Sequence, residues 1–210
     1  MRAVHPIEVE SYRLLRAQVD TAGLAPLTRA VVERIVHTTA DLAFVTDLVT
    51  REEDLAAGRA ALRAGAPVVT DVAMVAAGIT RRDLLGPVIC RVADPDAAAL
   101  AAATGLTRSA AAFRLAAVEA GPGAVWVVGN APTALYELLR LAATDGAAPA
   151  LVVGLPVGFV GAAESKAALR ASGLRQVSNV SAKGGSPLAA AAVNALLYTD
   201  LHRVTPEVPS

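Results

Sequence analysis

The sequence predicts an α/β fold: a doubly wound, mainly parallel sheet with helices on both faces, preceded by an N-terminal helical segment. From Ala66 onward, short runs rich in β-branched residues alternate with Ala-rich amphipathic stretches, the order typical of a parallel sheet covered on both faces. The 210 residues are 54% hydrophobic, enough for one core of ordinary domain size. We therefore expect a single domain over residues 1–210, with its core at about 5–198.

The N-terminal third of the chain is predicted to be helical. Apolar residues recur at spacings of three and four over 8–19 and again over 26–49. Pro26 suits the first turn of the second of these helices, and Thr28 is a candidate for its cap. We expect two long helices before the sheet begins.

Five strands are predicted in the rest of the chain, each as a short apolar run of the kind found in parallel sheets. They are APVVTD (66–71), VICRV (88–92), AVWVVGN (124–130), ALVVGL (150–155) and QVSNVS (176–181). The uncharged stretch 146–163 approaches the length of a membrane span. Its prolines and glycines favour a strand followed by a loop.

Composition excludes several classes of function. Lys plus Arg and Asp plus Glu each number 19, so neither nucleic acid nor a membrane surface is an expected partner. The one cysteine, Cys90, lies in an apolar run, which rules out an internal disulfide and predicts a buried structural thiol. No metal site of Cys and His ligands is expected. The polar N-terminus lacks a signal-peptide pattern, so we expect a cytoplasmic protein.

Three strand, loop and helix units near the C-terminus carry the clearest chemical signal. Each strand leads into a loop, with Gly129 and Asn130 in the first, the glycines of 154–161 in the second and Gly184 and Gly185 in the third, and a helix start follows each loop. In a parallel sheet these helix N-termini meet at the carboxyl edge, where ligands bind and where helix dipoles favour anions. We expect a polyanion site there, although each glycine cluster taken alone fits ordinary turn chemistry.

A nucleotide is not the expected ligand. Neither G-x-G-x-x-G nor G-x-x-x-x-G-K-[ST] occurs, and GLPVGFVGAAESK (154–166) has the wrong glycine spacing for either. The chain has only two lysines, Lys166 and Lys183, and both lie in or beside the glycine clusters. Together with Arg108 they favour an edge that binds several carboxylates or phosphates.

His37 is the histidine most clearly placed in organised structure, because His5 and His202 lie near the chain ends. It falls in ERIVHTTAD (33–41), inside the second predicted helix. One interpretation is a histidine satisfied by a neighbour such as Asp41, one helical turn further on. The other is a functional imidazole, whose pKa suits proton transfer near neutral pH.

Seven motifs occur in an order that resembles one enzyme family. They are HPIEVESYRLLR, RIVHTTAD, AGAPVVTDVAMVAAGIT, TRSAAA, GNAPTAL, GLPVGFVGAAESK and KGGSPLAAAAVNALL, and they run from His5 to Leu197. The series is similar to that of the precorrin-8X methylmutases, or precorrin isomerases, of cobalamin biosynthesis. The resemblance implies a homodimer of doubly wound α/β subunits whose two active sites use residues of both chains.

The resemblance also implies an isomerase reaction. A methyl group on ring C of the tetrapyrrole moves from carbon eleven to carbon twelve, which converts precorrin-8 to hydrogenobyrinate or its cobalt form to cobyrinate. The tetrapyrrole substrate and the corrin product carry acetate and propionate groups, which suit the predicted polyanion edge. No cofactor is implied. The sequence leaves open whether cobalt is already part of the substrate.

The same resemblance implies the site residues, with His37 as the catalytic proton donor. The substrate-binding residues are Ser11, Arg13, Arg34, Asp71, Thr80, Thr107, Arg108, Ser109, Asn130, Ser165, Lys166, Lys183 and Ser186. Two of them have structural alternatives, because Asp71 can cap a helix and Arg34 can pair on a helix face.

The chain departs from the family pattern at two places. Ser181 and Ala182 replace a glycine and a cation that are common before the glycine pair, so carboxylate binding at that corner is expected to depend on Lys183 alone. Ala40 stands where glycine is frequent, and we expect a helical alanine there to leave His37 undisturbed.

Two other functions stay open at this point. The same edge suits an isomerase or transferase that acts on another polyanion, such as a sugar phosphate. A corrinoid-binding or product-carrier protein without catalysis would need similar binding residues. Incubation with precorrin-8, followed by a visible spectrum, separates these alternatives.

Overall fold

The computed structural model describes residues 5–198 of the chain, which form ten α-helices and six strands. The helices are α1 (Pro6–Gln18), α2 (Pro26–Thr39), α3 (Phe44–Asp47), α4 (Glu52–Arg63), α5 (Ala73–Gly78), α6 (Pro95–Thr104), α7 (Arg108–Ala120), α8 (Pro132–Thr144), α9 (Ala162–Ala171) and α10 (Ser186–Tyr198). The strands are β1 (Leu48–Thr50), β2 (Val68–Thr70), β3 (Val88–Ile89), β4 (Val125–Val128), β5 (Leu151–Gly154) and β6 (Gln176–Asn179). None of these helices is long and apolar enough to cross a membrane. His202 lies outside the described residues.

The strands form one sheet in the order β1-β6-β5-β4-β2-β3, and every neighbouring pair is parallel except β1 and β6. Alternate side chains of a strand face opposite sides of the sheet. Val125 and Val127 join the core under α2, α4, α5 and α10, whereas Trp126 and Val128 join the core under α7, α8 and α9. The predicted doubly wound α/β fold is therefore confirmed.

All five predicted strands are present, each shorter than its apolar run. The shortest is β3, which lies at the edge of the sheet and pairs with β2 over two residues. Cys90 follows it directly and is only half-buried. The prediction of a buried thiol is wrong, because an edge strand this short leaves the next side chain partly open to solvent.

The second predicted helix is wrong in its C-terminal half. Helix α2 ends at Thr39, and Ala40 adopts a left-handed conformation with a φ of 53°. The chain then forms α3 and β1, and β1 covers the outer edge of β6 in antiparallel register. The apolar spacing continues through this stretch. The break was missed because alanine is a strong helix former and carries no turn signal.

Replacing Ala40 by glycine is expected to stabilise the protein by up to about 1 kcal/mol. A residue with a side chain loses about 1–2 kcal/mol of stability in the left-handed region, and glycine avoids this loss. Part of the benefit is cancelled, because glycine also makes the unfolded chain more flexible. Urea denaturation measures the difference. Ala43→Gly is the matched control, because Ala43 is exposed nearby with right-handed backbone angles. A lower free energy of unfolding in Ala40→Gly than in wild type would contradict the idea that the left-handed backbone of Ala40 is strained.

Thr28 does not cap α2, contrary to the prediction. The cap position is Ala25, and the Glu52 carboxylate accepts hydrogen bonds from the backbone N–H groups of Leu27 (2.9 Å) and Thr28 (2.8 Å). The Thr28 hydroxyl donates to the same carboxylate at 2.8 Å. A carboxylate at a helix N-terminus complements the helix dipole. Here it also ties α4 to the helix that carries His37.

Helix α10 lies at the centre of the sheet face that carries α2. Most of its side chains are small and buried. A Cβ atom placed on Gly78 would lie 2.7 Å from the Cβ atom of Ala190, so α5 and α10 touch nearly backbone to backbone. Helix α2 packs along the same helix. This packing brings His37 next to the contact between α5 and α10.

Candidate active site

His37 lies in a cleft between α2, α5 and α10. The cleft has a volume of about 510 Å³ and is lined by Arg34, His37, Thr38, Gly78, Pro187, Ala190, Ala191 and Asn194. Small side chains of α10 form its floor, and most of its polar groups come from α2. Because Pro187 is the second residue of α10, one end of the cleft lies at the carboxyl edge of the sheet. An apolar floor with a few convergent polar groups suits a large organic ligand.

The His37 imidazole is held from the side of α1. Its Nδ1 atom lies 2.9 Å from the Ser11 hydroxyl oxygen. The Tyr12 ring stacks on it, with ring centroids 4.9 Å apart and an interplanar angle of 10°. A neighbour does satisfy His37, but it is Ser11 and not Asp41, whose carboxylate pairs with the Lys183 ammonium group at 2.6 Å. With Nδ1 engaged by Ser11, Nε2 is the ring nitrogen that can act on a ligand.

The pKa of His37 is lowered from its ordinary value. Partial burial is the main cause and the Arg34 cation adds to it, whereas the Glu8 carboxylate opposes both. His37 is therefore mostly neutral at pH 7 when no charged ligand is bound beside it. A ligand that brings carboxylates near Arg34 would raise this pKa again, because opposite charges favour the protonated imidazole. Binding of a polycarboxylate and protonation of His37 thus favour each other.

Arg34 lines the cleft and already has protein partners. Its guanidinium group donates to a Glu8 carboxylate oxygen at 3.0 Å and to the Tyr12 hydroxyl at 3.3 Å. It also lies over the Tyr198 ring, 5.7 Å from the centroid. Arg34 therefore does form a structural ion pair, but its partner is Glu8 of α1 and not a residue on the same face of α2. Substrate binding by Arg34 remains a prediction.

Asp71 holds the loop that leads into α8. The Asp71 side chain is fully buried and accepts hydrogen bonds from the backbone N–H groups of Gly129 (3.0 Å), Asn130 (2.8 Å) and Ala131 (2.7 Å). Burial raises the Asp71 pKa and these three amides oppose that effect. An internal carboxylate therefore occupies these three loop donors, and ligand binding by Asn130 and by the α8 N-terminus remains a prediction. Asp71 caps neither α8 nor the helix that follows β2, because neither helix has a side-chain hydrogen bond at its N-terminal cap.

Lys166 holds a loop from inside the protein. Its buried ammonium group donates to the Asn179 side-chain oxygen (2.8 Å) and to the backbone carbonyls of Ser181 and Lys183 (both 2.6 Å). Asp47 accepts hydrogen bonds from Asn179 and Ser181 on the other side of this loop. Burial lowers the Lys166 pKa to about 8, and the Asp47 carboxylate opposes this. All three donors of Lys166 are used internally, which favours a structural role over direct contact with a ligand.

The Ser165 and Ser181 hydroxyls also form hydrogen bonds within the protein. The buried Ser165 hydroxyl donates to the carbonyl of Ala162 at 3.0 Å, within its own helix. The Ser181 hydroxyl donates to the Asp47 carboxylate at 2.6 Å. The first departure from the family pattern thus has a local use, because Ser181 helps to shape the loop that carries Lys183.

The remaining predicted residues fall into three places. Thr80 lies beside the His37 cleft, where its backbone N–H donates to the Asn194 side chain at 2.9 Å. The carboxyl-edge group is Thr107, Arg108, Ser109, Asn130, Lys183 and Ser186. Within it, Thr107 caps α7, and its hydroxyl lies 2.7 Å from that of Thr133 at the start of α8. Arg13 is exposed on α1 and pairs with Glu10, away from the other predicted residues.

Glu8, Tyr12 and Asn194 make hydrogen bonds or ring contacts at the site and were not among the residues predicted from sequence. Asn194 joins the cleft walls, because its side chain accepts from the Thr80 N–H and donates to the Gly78 carbonyl at 2.9 Å. The sequence contained one indication for Asn194, because an asparagine side chain within an Ala-rich, buried helix needs hydrogen-bond partners inside the protein. Glu8 and Tyr12 carried no such signal, because both fit the polar face of a surface helix.

The comparisons with known proteins agree on one family. The family model described as Precorrin-8X methylmutase matches residues 6–199. A Precorrin-8X methylmutase of Pseudomonas aeruginosa is 44% identical over 191 residues, which cover 89% of this chain and 91% of that protein. A Cobalt-precorrin-8 methylmutase of Methanocaldococcus jannaschii is 40% identical over 167 residues, with coverages of 80% and 77%. The solved precorrin-8X methylmutase of Thermus thermophilus superposes with a TM-score of 0.83 at 36% identity, covering 93% of this chain and 98% of that one. The chain therefore belongs to the precorrin-8X methylmutase family.

Proposed function

We propose that this chain is an isomerase of cobalamin biosynthesis that moves a methyl group on ring C of precorrin-8 from carbon eleven to carbon twelve, with His37 as proton donor. The observation that carries the proposal is His37 itself: an imidazole on the wall of a cleft, held through Nδ1 by Ser11 and through its ring face by Tyr12. General acid catalysis needs a donor with a fixed direction and a pKa near the working pH.

In this mechanism Nε2 of His37 gives a proton to a ring nitrogen of the tetrapyrrole. Protonation draws electron density from ring C, so the bond from the methyl group to carbon eleven breaks as the bond to carbon twelve forms. Substrate and product are isomers, so a proton must leave the product for each one that His37 supplies. No oxidant or reductant is consumed, and we propose that the reaction needs no cofactor.

The acetate and propionate groups of the substrate need cations and amides around the cleft. Arg108 and Lys183 are exposed at the carboxyl edge, and Arg34 lies on the cleft wall. We retain these three as the principal carboxylate ligands, together with Ser11, Thr80, Thr107, Ser109, Asn130 and Ser186. Lys183 would exchange its present partner, Asp41, for a substrate carboxylate.

The cobalt content of the substrate is a separate question. The relative from Pseudomonas aeruginosa is named for precorrin-8X, and that from Methanocaldococcus jannaschii is named for cobalt-precorrin-8. We propose that this chain acts on one of these two forms. Parallel assays with metal-free and cobalt-containing substrate would identify which form is turned over faster.

The test of the proposed function is incubation of the purified protein with precorrin-8. Methyl migration changes the conjugation of the macrocycle, so the visible spectrum is expected to change with repeated turnover. A spectral change limited to one equivalent of protein would indicate a corrinoid carrier instead. No change with either form of the substrate would contradict the proposal.

We also propose that the chain forms a homodimer whose active sites are shared. Val157, Phe159 and Val160 are all exposed in the loop between β5 and α9, at the edge where one end of the cleft lies. Exposed apolar residues clustered in this way are typical of an interface, and a stable one buries at least about 1,000 Å².

Light scattering at micromolar concentration is expected to give the mass of a dimer. Phe159→Ser should shift the equilibrium toward monomer, because it removes the most exposed aromatic side chain of this loop. Val118→Ser is the matched control, since Val118 is equally apolar and exposed but lies near the C-terminal end of α7. A monomer in the wild type would contradict the shared site.

The proposed location is the cytoplasm, and no nucleic-acid or membrane partner is proposed. The equal numbers of acidic and basic residues support the absence of such partners, because a chain without net charge does not attract nucleic acid or an anionic membrane surface. Cell fractionation with an antibody to the chain tests the location.

A further inference from the structure

One face of α1 meets the part of α2 that carries His37. Glu8, Ser11 and Tyr12 are spaced by three and four residues, so they share a face of α1. Arg34 and His37 are three residues apart on α2 and share the face that meets it. The proposed mechanism gives Glu8 no role and mentions Tyr12 only as a ring that contacts His37, yet both residues lie on the α1 side of the proton donor.

These side chains form one connected group. Tyr12 stacks on His37, and its hydroxyl accepts a hydrogen bond from Arg34 at 3.3 Å. Glu8 accepts a hydrogen bond from the same guanidinium nitrogen at 3.0 Å. Tyr12 therefore touches both the imidazole and the cation beside it, and Glu8 neutralises that cation. Both residues lie outside the set that lines the cleft.

We propose that Tyr12 and Glu8 are positioning residues for His37: Tyr12 fixes the plane of the imidazole, and Glu8 offsets the Arg34 charge so that His37 can be protonated. This inference rests on the proposed role of His37 as proton donor. Neither residue needs to contact the substrate. Stacking restricts rotation of the ring, and together with the Ser11 contact to Nδ1 it directs Nε2 toward the cleft.

The electrostatic part follows from the charges that face His37. Arg34 and burial lower the His37 pKa, and Glu8 raises it. Helices α5 and α10 contribute Gly78, Pro187, Ala190, Ala191 and Asn194 to the cleft, none of them charged. Tyr198 of α10 lies against Arg34. Beyond the end of α2, Asp41 and Lys183 neutralise each other as an ion pair. Removing the Glu8 charge therefore leaves the Arg34 cation unbalanced next to His37.

Glu8→Gln tests this part directly. The mutation is expected to shift the NMR titration of the His37 imidazole to lower pH, and to reduce kcat/KM at pH 8 about three- to tenfold, the effect of removing one nearby charge from a partly solvated site. The chain has three histidines, so the His37→Ala spectrum assigns the signal. Glu10→Gln is the matched control, because Glu10 lies on the same helix and pairs only with the exposed Arg13 among the contacts described.

Tyr12→Phe and Tyr12→Leu distinguish the effect of ring stacking on His37 from the effect of merely filling the space that Tyr12 occupies. Phenylalanine keeps the ring, so kcat is expected to stay within about threefold of wild type, whereas leucine lets the imidazole rotate and should lower kcat about tenfold or more. KM should change less than kcat in both variants, because neither side chain is proposed to touch the substrate. If Tyr12→Leu fails to fold, Tyr12→Met replaces it in the same comparison, because methionine also fills the space without a ring that can stack.

The two readouts distinguish this inference from the proposed function. The NMR titration needs no substrate, so it tests the Glu8 effect even if the protein does not convert precorrin-8. An unchanged His37 titration in Glu8→Gln, or an equal shift in Glu10→Gln, would overturn the inference. Equal kcat values in the phenylalanine and leucine variants would overturn the role of Tyr12.

Discussion

His37→Ala is expected to abolish methyl migration while the protein still folds and binds the tetrapyrrole. Loss of a general acid typically costs about 100- to 10,000-fold in rate. Binding is spread over many cations and amides around the cleft, so removal of one partly buried imidazole should weaken it little. Turnover of precorrin-8, the melting temperature and a binding titration with the corrin product measure the three quantities separately.

The alternatives give different patterns in the same three measurements. If His37 is only a packed histidine, the mutation lowers the melting temperature and activity falls only as folded protein is lost. If the protein is a carrier, neither wild type nor mutant converts precorrin-8, and both bind the product. A stable His37→Ala protein that turns over near the wild-type rate would remove His37 from the mechanism. The Ser11 hydroxyl, which lies 2.9 Å from the imidazole, would then be the next donor to test.

Lys166→Met is expected to lower the free energy of unfolding by about 3 kcal/mol, because it removes charge-assisted hydrogen bonds to three acceptors and leaves the Asn179 side-chain oxygen without a donor. Those acceptors are the Asn179 side-chain oxygen and the carbonyls of Ser181 and Lys183. Methionine has a similar length and keeps most of the packing. Urea denaturation measures the loss. Tetrapyrrole binding should weaken as well, since the loop positions Lys183.

The other lysine of the chain provides the control. Lys183 is half-exposed and forms a surface ion pair with Asp41. Lys183→Met should therefore change stability by less than about 1 kcal/mol, while it weakens tetrapyrrole binding by about 1–3 kcal/mol through loss of a charge-assisted hydrogen bond. Equal stability of the two variants would show that Lys166 does not hold the loop. Equal binding of Lys183→Met and wild type would show that Lys183 faces solvent.

Local patterns determined the fold class. Parallel strands buried on both faces appear as short apolar runs, so all five of them were visible in the sequence, as was the alternation with helices. The missed elements depend on distant partners. Strand β1 is three residues long and exists because it pairs with β6, more than 120 residues further along the chain. The end of α2 depends on a left-handed alanine, a conformation for which alanine gives no sequence signal.

The sequence by itself determined the family, the fold class and the residue types of the candidate site, because motif order and hydrophobic period are local properties of the chain. The tertiary structure decided which of those residues are open to solvent or to the cleft and which are used internally. Lys166 and Lys183 look alike in sequence, yet one is buried with three internal acceptors and the other is half-exposed. His37 has its partners on α1 rather than at Asp41. A buried polar group takes whichever donor or acceptor the packing brings within about 3 Å, and that choice depends on contacts between segments far apart in the chain.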